Sequence, residues 1–388
     1  MRVENLDGER HDLDDVLDEY LPGDVAEQSL VCSDMDGTMF ENDIGLLVFL
    51  EKLSDPSLWY HSPDRFARIL IPNKYYKLLQ EGARGDNSFL NKEDCWMALQ
   101  LHLDIVNLYK LRRKKMRGGK NGDLDIHSPL INEFAYKMMA LDAIMVKLDR
   151  IFMQSFDGQL LLRTRHFAAK RRDQVYQLVN RVMARTEESE DSVVSLGTHD
   201  ENAEEADQLV SEEQVRIYGF EPVQDRVVRE VDDVRRIIAR LLYQQNASGR
   251  VVSTNLDLIV KAALRSSNYS KLFKSRDVVA TTQYRDSASD NNEYRLQARV
   301  NDKPVFGAKK AELADKIAGS RRLQLRAALG DSAGNDGPML ERALINEGIA
   351  VLVGQSREQI ERSFERIIDN VSDLPDVNKR ILLVTTHE

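Results

Sequence analysis

Cysteine is scarce in this 388-residue chain, where Cys32 and Cys95 are the only two. Two thiols cannot form a disulfide framework, so a packed core must carry the stability and a reducing compartment is expected. Long apolar runs are missing as well. No stretch approaches the roughly 18 apolar residues that span a bilayer. Residues 1–24 are rich in Asp and Glu and lack the apolar segment of a secretory signal. The expectation is a cytoplasmic protein without membrane association. There is also no excess of basic charge. The net charge of −10 argues against a nucleic-acid partner, because binding to phosphate backbones is driven by a basic face. With 42% hydrophobic and 30% charged residues, the composition is that of a folded globular chain, neither fibrous nor disordered. At this length two domains are expected.

Short apolar runs alternate with helical-period segments at the beginning and in the last third. They are Leu30 to Cys32, Val251 to Val252, Leu325 to Leu329, Ile349 to Val353 and Ile381 to Thr385. Such alternation predicts an α/β domain, a parallel sheet with helices on both faces. Between them the apolar residues fall at three- and four-residue spacing, as in Asn91 to Leu111, Leu130 to Met153 and Ala168 to Met183. The pattern predicts an α/β core from residues 1–45 and 246–388, with a helical insertion at 46–245. Within the insertion, the basic run from Lys110 to Lys120 reads as a solvated helix end, or as an anion or partner contact. Residues 187–213 contain many Asp, Glu and Ser but no Lys or Arg, which predicts a mobile acidic loop.

The most informative stretch is Ser29-Leu30-Val31-Cys32-Ser33-Asp34-Met35-Asp36-Gly37-Thr38. A short strand delivers two carboxylates onto a glycine turn. Carboxylates there can attack an electrophile, hold a divalent cation or move a proton. A turn with solvated acids has the same local pattern. If Asp34 attacks phosphorus, the phosphoryl charge must be met by donors and cations. These should follow strands, since sites in open α/β sheets form at the strands' carboxyl ends.

Three later segments fit. Val251-Val252-Ser253-Thr254-Asn255 puts hydroxyls after a strand, as a phosphate cradle or as a helix N-cap. Gly307-Ala308-Lys309-Lys310 opens a helix, and Lys310 shares a face with Leu313 and Ile317, so it is preferred over Lys309 as the site cation. Gly330-Asp331-Ser332-Ala333-Gly334-Asn335-Asp336 repeats the strand–glycine–carboxylate pattern, with Asp331 as a candidate magnesium ligand and Asp336 as its orienting partner. His61, His102, His127 and His166 have no metal-ligand spacing. Arg163 and Arg165 alternate just before His166, as a contact to a substrate anion or as a solvated edge.

Together, and in this order, these motifs resemble those of the haloacid dehalogenase superfamily of phosphohydrolases. Asp34 to Thr38 resembles the first motif, Ser253 the second, Lys310 or Lys309 the third, and Asp331 with Asp336 the fourth. The resemblance implies a Rossmann-like core with a C1 cap inserted after the first strand, closest to the phosphoserine-phosphatase-like branch. It also implies a Mg2+-dependent hydrolase that acts on a small phosphorylated metabolite through an aspartyl-phosphate. Asp34 would be the nucleophile and Asp36 the acid and base. Ser253, Lys310 and Thr38 would bind substrate, and the metal site would comprise Asp34, Asp36 through its backbone carbonyl, Asp331 and Asp336. Asp43 stands where that branch carries a glutamate for the substrate's amino group, and it reads equally as a helix N-cap. The alternatives are a phosphotransferase or mutase on the same core, or a binding protein that uses the insertion.

Overall fold

The computed structural model describes residues 1–22, 28–54, 61–118, 171–185, 227–244, 246–286, 295–300 and 305–386, with isolated helical residues between 133 and 148. In chain order the elements are β1 (Arg2–Asn5), β2 (Arg10–Asp12), α1 (Leu13–Tyr20), β3 (Ser29–Ser33), α2 (Ile44–Ser54), α3 (Pro63–Leu70), α4 (Asn73–Arg84) and α5 (Lys92–Gly118). Next come α6 (Arg172–Met183), α7 (Asp232–Ala239), β4 (Ser248–Leu256), α8 (Asp257–Arg265), β5 (Val278–Thr281), β6 (Gln283–Asp286) and β7 (Arg295–Val300). The last are α9 (Ala308–Arg321), β8 (Gln324–Gly330), α10 (Ala333–Ile345), β9 (Ile349–Gly354), α11 (Arg357–Val371) and β10 (Ile381–Thr385).

Two compact units result. One comprises Met1–Gly45, Val228–Thr282 and Asp302–Glu388, and the other Leu46–Val227 and Gln283–Asn301. The first is built on an eight-stranded sheet of order β2-β1-β10-β9-β8-β3-β4-β5. The strands from β10 to β5 pair in parallel, and β1 and β2 extend the sheet antiparallel beyond β10. Every residue of β3 is buried, as expected for a central strand covered on both faces. The core brings Leu30, Cys32, Val252, Leu325, Leu340, Leu352 and Phe364 together. The strands β1 and β2 leave no run in the sequence. They are three or four residues long, and β1 is ordered by its pairing with β10.

The boundary expected at residue 246 lies at 228 instead. Residues 228–245 belong with the sheet because Glu41 N–H donates to the Arg229 carbonyl and Val231 N–H to the Met39 carbonyl, each at 3.0 Å. Tyr269 Oη adds a bond to the Val231 carbonyl at 3.1 Å. The hairpin of β6 and β7, expected as part of the core, groups with the second unit.

The second unit is otherwise helical in its described residues. Phe66 stacks on Tyr109 with centroids 3.9 Å apart, and Glu51 pairs with both Arg181 and Arg185. The basic run is not merely a solvated helix end. Arg112 is buried with its guanidinium over the Phe134 ring, and Arg113 donates to the His61 carbonyl at 2.6 Å. His102 bonds through Nε2 to the Ala67 carbonyl at 3.0 Å. Residues 187–213, His127, His166, Arg163, Arg165 and Lys120 lie outside the described residues. Among the described residues no helix is long and apolar enough to cross a membrane.

Arg380 anchors the helix whose first turn carries Asp336. Its buried guanidinium donates to the carbonyls of Leu344 at 2.8 Å, Gly348 at 3.2 Å and Pro375 at 2.9 Å. A cation at the C-terminal end of α10 also opposes the helix dipole. Arg380→Met keeps the stem and strands three acceptors, so it should cost about 2–4 kcal/mol. Urea denaturation would measure the loss, and an unchanged midpoint would contradict this anchoring.

Candidate active site

From β3 the sheet grows one way through β4 and β5, and the other way through β8, β9 and β10. Strands β3 and β8 therefore flank the point where strand order reverses. In open parallel sheets, the crevice beyond the strands' carboxyl ends at that point is the usual ligand site. Asp34 follows β3 and Asp331 follows β8, while Ser253 lies near the end of β4.

The centre of the arrangement is Lys310. The turn into α9 takes Gly307 at a φ of +52°. This sends Lys310 into the interior, where its fully buried Nζ lies 2.8 Å from Asp34 Oδ1 and 2.6 Å from Asp336 Oδ1. Burial works against the ammonium, but Asp336 and Asp34 carry its pKa above the ordinary lysine range. Lys309 points elsewhere and pairs with Glu312 at 3.1 Å. Of the two lysines, Lys310 is the one at the carboxylates.

Asp336 Oδ2 accepts from the backbone N–H groups of Asp331 and Ser332, each at 3.2 Å. Asp336 thus shapes the loop that presents Asp331. Thr38 Oγ1 donates to Asp331 Oδ1 at 3.3 Å. Gly37, at a φ of +74°, lets the first turn pass so close that a Cβ there would sit 2.0 Å from Asp331 Oδ2. Carboxylate oxygens of Asp34, Asp331 and Asp336 all lie within 4.8 Å of one another. Burial, then Asp336 and then Asp34, raise Asp331 to about 9. Burial and then Asp336 raise Asp34 to about 7, against the opposing pull of Lys310.

The Asp36 carboxylate is not part of this trio. Its Oδ1 accepts from Ile44 N–H at 2.8 Å and its Oδ2 from Asn255 Nδ2 at 3.0 Å. Burial, then Asp43 and then Asp34, push its pKa well above the usual carboxylate range. Asp43, directly before α2, acts on Asp36 through its charge. Ser253 is buried, and its Oγ accepts from Asn255 N–H at 3.1 Å. The N-cap reading of these hydroxyls does not hold, because α8 begins at Asp257 after Leu256 and has no side-chain cap.

Three residues here were quoted from sequence only as parts of a motif, with no role of their own at the carboxylates. Asn335 Nδ2 lies 3.4 Å from Asp34 Oδ2, and its Oδ1 is 2.9 Å from Thr254 Oγ1. Thr254 also reaches the Val305 carbonyl at 2.9 Å. Asn255 holds Asp36. Only adjacency to Asp336 and Ser253 marks them in the sequence.

The donors fit a hard divalent cation. They are all oxygen, and three carboxylates face a single ammonium, so negative charge is in excess. Both oxygens of Asp336 are engaged by Lys310 and the loop N–H groups. Asp34 and Asp331 are the side chains that would hold such an ion, with Asp34 bonded to Lys310 and Asn335 and Asp331 to Thr38.

No family model and no curated protein matches the chain. A similar solved structure is that of a conserved functionally unknown protein from Anaerococcus prevotii DSM 20548. It is 12% identical with a TM-score of 0.58, over 97% of this chain and 96% of that one. That likeness shows the fold alone.

Lys310→Met should cost about 3–5 kcal/mol, because it leaves two buried carboxylates facing each other without their cation. Thermal denaturation tests this, and an unshifted midpoint would show that the ammonium does not organise the site. The raised carboxylates set a pH dependence. Their folded pKa values exceed the unfolded ones, so the folded protein binds extra protons and loses stability as pH rises. Without added metal, stability should fall between the ordinary carboxylate range and about 9. Asp331→Asn should flatten that fall and raise stability at high pH by roughly 1 kcal/mol. Equal pH profiles for the two proteins would contradict the crowding.

Proposed function

We propose that this chain is a magnesium-dependent phosphomonoester hydrolase of the haloacid dehalogenase type. In this reading it acts on a small phosphorylated metabolite through an aspartyl-phosphate. The observation that carries the reading is the buried Asp34–Lys310–Asp336 arrangement at the strand-order reversal, with Asp331 beside it. A nucleophilic carboxylate, a cation to meet phosphoryl charge and a second acidic loop are what attack on an anionic phosphate requires.

Asp34 attacks phosphorus in line as the bond to the leaving oxygen breaks. Lys310 and Ser253 meet the non-transferring oxygens, and Lys310 holds Asp34 Oδ1, so that Oδ2, 3.4 Å from Asn335 Nδ2, is the oxygen that attacks. Asp36, with its raised pKa, gives its proton to the leaving oxygen. It later takes a proton from the water that attacks the acyl phosphate, and the Asp34 carboxylate is regenerated. Asp34 and Asp331 would hold Mg2+, which supplies the charge neutralisation that lets a carboxylate approach a phosphate. The insertion at 46–227 takes the part of a helical C1 cap that selects the substrate.

Release of inorganic phosphate from a panel of small phosphomonoesters, with magnesium and with chelator, tests the reading. Magnesium-dependent release that disappears in Asp34→Asn is the expected result. Wild-type rates in Asp34→Asn would refute the nucleophile. No release from any ester by folded protein in magnesium would favour transfer to another acceptor, or a binding role.

A further inference from the structure

Beyond the groups that react, one side chain decides where Asp36 points. We propose that Asn255 is a positioning residue that holds the Asp36 carboxylate for proton transfer to the leaving oxygen. This rests on the hydrolase reading above.

Asn255 reaches Asp36 because of an irregularity in the sheet. Ser253 on β4 pairs with Ala280 on β5, but the next pair is Leu256 with Thr281. Thr254 and Asn255 therefore fall outside the register with β5, where the Thr281 hydroxyl donates to the Thr254 carbonyl at 2.8 Å. A bulge of this kind bends a strand and re-aims its side chains. Here it leaves Asn255 Nδ2 3.0 Å from Asp36 Oδ2.

The orientation of the amide is set by its neighbours. Asn255 Oδ1 accepts from Leu256 N–H at 3.0 Å, so this end must be the oxygen and the end at Asp36 the donor. Its backbone N–H is in turn bonded to Ser253 Oγ at 3.1 Å. Asp36 is then gripped on both oxygens, by the amide and by Ile44 N–H at the start of α2. A carboxylate held at two points has one rotamer, and a proton carrier gains from fixed geometry. The donor is neutral. A lysine or arginine there would hold Asp36 ionised, whereas an amide adds no charge and its hydrogen bond favours the carboxylate form less strongly.

Gly45 makes room for this grip. A Cβ at Gly45 would lie 2.2 Å from Asn255 Nδ2 and 2.4 Å from its Oδ1. Gly45→Ala suits a helix, and the three nearest atoms its Cβ would meet all belong to the Asn255 side chain. It should shift the amide off Asp36 without unfolding the protein.

The test compares two leaving groups. Expulsion of an alkoxide needs a proton from Asp36, while p-nitrophenolate leaves without one. The kcat/KM value covers the steps through the first irreversible one, the transfer to Asp34. For Asn255→Ala we expect kcat/KM on the best alkyl phosphate of the panel to fall about 100-fold. On p-nitrophenyl phosphate it should fall less than about 5-fold. Gly45→Ala should show the same selectivity in milder form. An equal loss on both esters, or no loss, with wild-type protein active would overturn the positioning role alone. Wild-type protein that cleaves neither ester in magnesium would overturn the hydrolase reading, and this role with it.

Discussion

A single buried ammonium organises the α/β unit's crevice. Lys310 has no exposed surface, and it satisfies its charge only by lying between Asp34 and Asp336. A charge removed from water must be paired and hydrogen-bonded, or the fold that buries it is lost. This requirement links three distant parts of the chain: the turn after β3, the first turn of α9 and the first turn of α10. Each element's approach to the others is limited by the reach of one lysine. Asp336 extends the constraint by holding the loop of Asp331 through two backbone N–H groups.

The same cluster is out of electrostatic balance. Three carboxylates share one lysine, and burial with mutual repulsion raises Asp34 and Asp331 far from the ordinary range. A fold that served only stability would replace such a group with apolar side chains at little cost. Excess negative charge at the reversal of strand order is the pattern of a site built for something positive, and a divalent cation fits its oxygen donors. Asp36 stands apart, tethered in a different direction by Asn255 and Ile44. Two carboxylates only two positions apart thus occupy different environments, and such a division suits separate chemical roles.

Much of the α/β unit could be read from the chain. The apolar runs at Leu325 to Leu329, Ile349 to Val353 and Ile381 to Thr385 are strands in the structure, within a residue at either end. A buried parallel strand needs an unbroken apolar run, and that signal is local. The helical character of Asn91 to Leu111 was legible for a similar reason, since its apolar residues recur at three- and four-residue spacing along the chain. Strands β1 and β2 were not legible. Their residues alternate in no marked way; β1 is ordered by pairing with β10, which lies almost the whole chain away, and β2 by pairing with β1.

The residue types of the candidate site were also visible in the chain, because acid, hydroxyl and lysine each follow a strand or open a helix. Their division of labour was not. Lys309 and Lys310 are adjacent and chemically identical, and only the packing of α9 decides that one meets the carboxylates and the other meets Glu312. Asn335 and Asn255 look like ordinary loop polar residues until the sheet brings Asp34 and Asp36 to them. Strand and helix identity depends on neighbours along the chain, so local pattern determined it. Which charge compensates which depends on neighbours in space, so only the assembled sheet decided it.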